Sequence, residues 1–300
     1  MENEIKQKDF SLPTSIIVAA VILAVVWLYT ASPRDAQNQP QAQPQQKTSE
    51  GIVLPVLWGD LGVQMVNAGV IDAERFEAIY ANRGGLTKET KELLYAKNNG
   101  NLKITSENSG MILNLLWALG LGAKNNILET GPMTKYGDVG NFASTGGWTI
   151  AKGGAMDHYS KHVFFTLTPE QQALVENVSK NIYRPCCDNP TYFPDCNHGM
   201  AMLGLLELMA SQGANEKQMY QAAMQVNSFW FPEEYSTIAR YFSSKNQTLS
   251  AIDPKEILGL NYSSVSGFRR IASLVPQVKS RGGSGCGLET EQPKSGGCGL

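Results

Sequence analysis

The sequence predicts an all-α protein, a single globular domain of about six to nine helices behind an N-terminal transmembrane helix and a disordered linker. Three observations predict it. An uncharged apolar run fills residues 12–31, a Gln/Pro-rich stretch follows, and the rest is punctuated by helix caps and glycine stops. Few segments alternate as strands do, and HVFFTLT at 162–168 is the only tempting one.

Residues 1–11 form a short N-terminal tail. Residues 12–31, LPTSIIVAAVILAVVWLYTA, carry no charge. At about 1.5 Å rise per residue, roughly 20 such residues cross a ~30 Å hydrocarbon core. Trp27 and Tyr29 stand at its downstream end, where aromatic rings favour the headgroup region. Lys6 and Lys8 precede the run and only Arg34 follows closely, so the segment reads as a single-pass signal anchor with the C-terminal domain outside the cytoplasm, periplasmic or extracellular. Cleavage after the small residues Thr30-Ala31-Ser32 is the rival reading, and the long region before the apolar run weighs against it. Residues 32–50 have almost nothing apolar to bury and read as an extended tether. Residues 51–277 have the size and composition of a domain with its own core. A net charge of −2 gives no sign of a nucleic-acid face.

Within the domain, Asp72 is an N-cap for AERFEAIYA, whose Phe76, Ile79 and Tyr80 share a face. Ser106 opens the strongly apolar ENSGMILNLLWALGLG, which its glycines end. Thr168 to Gln171 combine a capping box with proline at the first helical position. Asp195 or Asn197 caps HGMAMLGLLELMASQG, which Gly213 stops. Asn215 to Gln218 cap a helix running to about Trp230, and Asp253-Pro254 opens a short one. The glycine-rich segment 131–154 has no helical period and reads either as a binding loop, with Ser144, Thr145 and Trp148 against a ligand, or as a surface insertion.

All three histidines and three of the five cysteines fall between His158 and His198. Imidazole and thiolate bind soft and borderline metals, and thiolate is also the redox nucleophile. His158 and His162 stand four apart, a spacing that shares one face if helical. Tyr159 occupies the place of a zincin's general base, so that class is excluded. Cys186 and Cys187 end one helix in a proline-bracketed turn, and Cys196 and His198 begin the next, where free backbone N–H groups favour a thiolate.

Three functions remain open. The first is a membrane-anchored protein that binds a soft or borderline metal ion, copper or zinc, for metal handling or transfer. Its ligands would be Cys186, Cys187, Cys196 and His198, with His158 and His162 as further candidates. Met202, one turn below His198, is a thioether neighbour or core filler. The second is a thiol–disulfide oxidoreductase or thiol enzyme using the same cysteines. The third is a tethered interaction module whose Cys196 pairs with Cys186 or Cys187 in a structural disulfide. The Gly/Cys tail at 278–300 presents Cys286 and Cys298 in near-identical Gly-Cys-Gly-Leu contexts, suited to transfer of an ion or a disulfide to an exchange partner. With five cysteines, at least one stays out of any intrachain disulfide.

Overall fold

The computed structural model describes residues 51–276. The tail 1–11, the anchor 12–31, the linker 32–50 and the tail with Cys286 and Cys298 lie outside the described residues. The described part is mostly helical. It begins with strand β1 (Ile52–Gly59), then helices α1 (Leu61–Ala68), α2 (Ala73–Ala81) and α3 (Lys88–Tyr95), and strand β2 (Asn99–Ile104). Helices α4 (Ser109–Gly122), α5 (Asn126–Thr130) and α6 (Pro169–Ser179) follow, then α7 (Asn197–Ser211), α8 (Glu216–Trp230) and α9 (Pro232–Ser243). Three short helices close the order: α10 (Pro254–Leu258), α11 (Leu260–Ser263) and α12 (Val265–Ala272).

Caps explain most starts. Asp72 accepts from Arg75 N, and Thr168 and Asn215 each form the expected capping box. Asp253 accepts from Lys255 N at the start of α10. Three boundaries differ from expectation, one being that α6 ends at Ser179, so Cys186 and Cys187 lie in the following turn and do not end a helix. Helix α4 begins at Ser109 rather than Ser106, and α7 is capped by Cys196 rather than by either polar neighbour. The helix count exceeds the expected range because several helices, such as α5, α10 and α11, are only four or five residues long.

The all-α expectation is corrected by a two-stranded antiparallel sheet in which Ile52 pairs with Ile104 and Gly59 with Asn99. Leu54, Val56 and Trp58 face inward, but the outward Val53, Pro55 and Leu57 are apolar too, which hides the period of two. Pro55 lies where the register shifts between Val53 and Leu57, and it has no N–H to give to a ladder. The side-chain amide of Gln212 bonds both backbone groups of Leu57, each at 2.8 Å. HVFFTLT is not a strand. It contributes one isolated bridge, from His162 to Ala123.

Helices α4 and α7 form the centre. Each is buried on nearly every side, which is what a helix apolar all round requires. Their backbones touch. A Cβ on Gly120 would lie 2.1 Å from the Met200 carbonyl oxygen, and one on Gly204 2.6 Å from that of Leu116. Met200, Met202 and Met209 are all core residues. A second, smaller core joins Phe231, Tyr235, Ile238, Phe242, Ile257 and Ile271.

The segment 131–154 is tied to the core at several points, although much of it is exposed. Ser144, Thr145 and Trp148 are buried. Trp148 Nε1 donates to Val70 O at 2.8 Å, and Trp117 Nε1 donates to Ser144 O at 2.6 Å. These indole donors on backbone oxygens tie the segment down, and its only regular structure is two short 3-10 turns, Pro132–Lys135 and Val139–Asn141.

Glu207 on α7 is wholly buried; its Oε1 accepts from Asn125 Nδ2 and its Oε2 has no partner. Burial, opposed only by the Asn125 bond, holds its carboxyl well above the usual range. A folded-state pKa raised above the unfolded one means stability is lost as pH rises above the unfolded value. Glu207→Gln keeps the shape and removes the ionisation. It is expected to raise stability at pH 8 by about 1–3 kcal/mol, the scale of an uncompensated buried polar group, with no gain at pH 4. Thermal melts at the two pH values check this.

Candidate functional site

The centre forms where the chain leaves α6 and turns into α7. Backbone bonds pin this turn on several sides. Tyr192 N donates to Ser179 O at the end of α6, Val265 N of α12 donates to Cys187 O, and Ser144 N donates to Asp195 O. Asp188 Oδ1 accepts from Ser266 N, a bond that lowers its pKa. The turn is therefore held by both cores.

Its anchor is Arg184, only 1 % exposed. Arg184 Nε donates to Cys196 Sγ at 3.0 Å, Nη1 to Asn189 O at 2.9 Å, and Nη2 to Asp195 Oδ1 at 2.6 Å and Phe193 O at 3.4 Å. The other carboxylate oxygen of Asp195 accepts from Asn189 Nδ2 at 2.7 Å. The planar guanidinium can serve four acceptors at once, which an ammonium could not. Its face lies on Gly199, where a Cβ would come within 2.5 Å of Nη2. Glycine in the first turn of α7 is thus what lets the arginine in.

Cys196 is the hub. As N-cap of α7 it accepts from Gly199 N at 3.4 Å, and its Sγ lies 3.7 Å from Cys186 Sγ. Hydrogen bonds from the Cys186 and Cys187 thiols, then the Arg184 charge and His198, hold its pKa well below the ordinary thiol range against the effect of burial. The same bonds to Cys187 and Cys196 push Cys186 up. Cys187 is lowered by its Cys186 bond, but its Cys196 bond and burial push it up to about 12. Cys187 Sγ also approaches Asn189 O at 3.7 Å and Asp195 Oδ1 at 3.9 Å. All three are free cysteines, and Cys186 is exposed.

The ring of His198 rests on Phe231, with centroids 4.5 Å apart, and meets the edge of Trp230 at 5.7 Å. The ligand atoms of Cys186, Cys196 and His198 lie within 4.8 Å of one another, as do those of Cys187, Asp195 and Cys196. Each group could hold a metal ion, and the two share Cys196.

No family model matches the chain, and comparison with curated proteins and with solved structures found no match. The chemistry of the centre is accordingly read from its own atoms.

His158 and His162 stand together but not on a helix. His158 follows a 3-10 turn (Ala155–Asp157), and Ser160 bends the chain at φ 53°. His158 Nε2 meets Lys152 O at 2.8 Å and its Nδ1 meets His162 Nε2 at 3.0 Å. A carbonyl can only accept, so His158 Nε2 donates to Lys152 O; in a neutral His158 ring Nδ1 is then the acceptor from His162 Nε2. Burial and then His158 lower the pKa of His162. Among the described residues, neither joins a group of three potential ligands.

Sequence reasoning missed Arg184, Asn189 and Gly199 and took Asp195 for a cap. The available signal was Arg184 itself, a cation two residues before the thiol pair.

Proposed function

We propose that this chain is a membrane-anchored, exported helical protein that binds a thiophilic metal ion, zinc or copper, through Cys186, Cys196 and His198, for metal handling or transfer. The separation of 3.7 Å between the Cys186 and Cys196 sulfurs carries this reading. Two sulfurs bound at about 2.3 Å in tetrahedral geometry stand about 3.8 Å apart. Cys187 or Asp195 supplies a fourth donor by a small shift, since both already lie beside Cys196. Arg184 then offsets the excess negative charge of two or three thiolates around a divalent ion. The uncharged run at 12–31 supports the anchor, and Cys286 and Cys298 are the thiols that would receive or deliver the ion.

The test is elemental analysis of the reduced full chain, with cobalt as a spectroscopic substitute. About one ion per chain and a cobalt–thiolate charge-transfer band are expected, as for a closed thiolate site. Both should vanish in Cys196→Ser and weaken in His198→Ala. A chain that retains no zinc, copper or iron and gives no cobalt band sinks the proposal.

A further inference from the structure

Beyond metal binding, the geometry points to a second activity of the same turn: we infer that metal-free Cys196 and Cys186 are a dithiol that reduces small hydroperoxides, with Cys196 attacking and Cys186 resolving. Four observations lead there. The Cys196 sulfur accepts N–H groups from Arg184 at 3.0 Å and from Gly199 at 3.4 Å, two donors that stabilise negative charge on sulfur. Arg184 is held in place, because Asn189, Phe193 and Asp195 accept three of its four other N–H groups. Cys196 is recessed while Cys186 is exposed, so a small electrophile suits the first and an external reductant can reach the second. Finally, the two sulfurs are already 3.7 Å apart, against the about 2.05 Å of a disulfide.

The steps balance. The Cys196 thiolate attacks the terminal oxygen of ROOH, the S–O bond forms as the O–O bond breaks, and RO⁻ leaves and takes a proton from water. Cys186 then attacks the sulfenic sulfur. Its proton leaves with the hydroxyl as water, and the Cys186–Cys196 disulfide forms. Two electrons pass from the two thiols to the peroxide. An external dithiol restores the pair by exchange at the exposed Cys186 sulfur. Cys187 is the poorer resolving thiol, because its sulfur is engaged by Asn189 O and Asp195.

The test uses the reduced full chain, stripped of metal with a chelator and treated with one equivalent of hydrogen peroxide. Loss of two thiols per peroxide and a Cys186–Cys196 linked peptide are expected. In Cys186→Ser the reaction should stop at a sulfenic acid on residue 196, trapped by dimedone. Cys196→Ser, which keeps a good N-cap, should lose the fast reaction while its circular dichroism stays unchanged. Dimedone adducts confined to another cysteine, or consumption no faster than that of free cysteine, overturn the inference. Because no metal is present, this outcome is independent of whether the chain binds one.

Discussion

Arg184→Met is expected to cost about 3–5 kcal/mol of stability, the loss seen when one partner of a buried charge pair is removed. Methionine matches the stem of arginine as far as Nε but donates nothing. Asp195 would keep Asn189 Nδ2 and lose its 2.6 Å guanidinium partner, while the carbonyls of Asn189 and Phe193 would lose theirs. Cys196 would lose its nearest positive charge, so its reaction with a thiol reagent should slow as well. Denaturant unfolding gives the first quantity and alkylation rate the second. Arg184→Lys should recover little of either, because one ammonium cannot reach four acceptors. A stability loss under about 1 kcal/mol, the scale of an exposed pair, would mean the network is dispensable.

The second large effect belongs to the helix crossing beneath the centre. Gly120→Val should prevent stable folding, and Gly204→Ala should cost about 1–3 kcal/mol or more, because each places a side chain where a backbone already lies. The nearest atoms, Met200 O and Leu116 O, are part of α7 and α4 and cannot rotate aside. The helices would have to separate, carrying the N-terminus of α7 and with it Cys196 and His198. The control lies in the same helix. A Cβ on the exposed Gly110 meets nothing within 4 Å. Gly110→Ala should therefore stabilise by up to about 1 kcal/mol on helix propensity alone. Thermal melts of the three variants decide the matter; equal effects would show that the close approach is not what constrains Gly120 and Gly204.

The parts legible in the sequence are those with local causes. Asp72, Thr168, Asn215 and Asp253 cap the helices they precede because a side-chain oxygen needs only the next few N–H groups. The sheet was not legible, since β1 and β2 are distant in sequence and β1 is apolar on both faces around Pro55. The buried contacts of segment 131–154 were hidden for the same reason. Its order comes from Val70 and Trp117, partners far along the chain, and not from any period of its own. The H-x3-H spacing suggested a helical face, whereas a turn at Ser160 brings the rings together by another route.

By itself, the sequence determined that the domain is mostly helical and that all three histidines and three of the five cysteines gather between residues 158 and 198. Both follow from side-chain type and near-neighbour spacing, which act over a turn or two of chain. Only the tertiary structure decided which of those residues meet. Cys186, Cys196 and His198 converge, Cys187 lies with Asp195, and the histidine pair keeps to itself. It also decided that a wholly buried arginine presides over the thiols. The physical reason is desolvation: a guanidinium can be buried only where several acceptors and a carboxylate surround it. Those acceptors are supplied by a turn that two separate cores hold in shape.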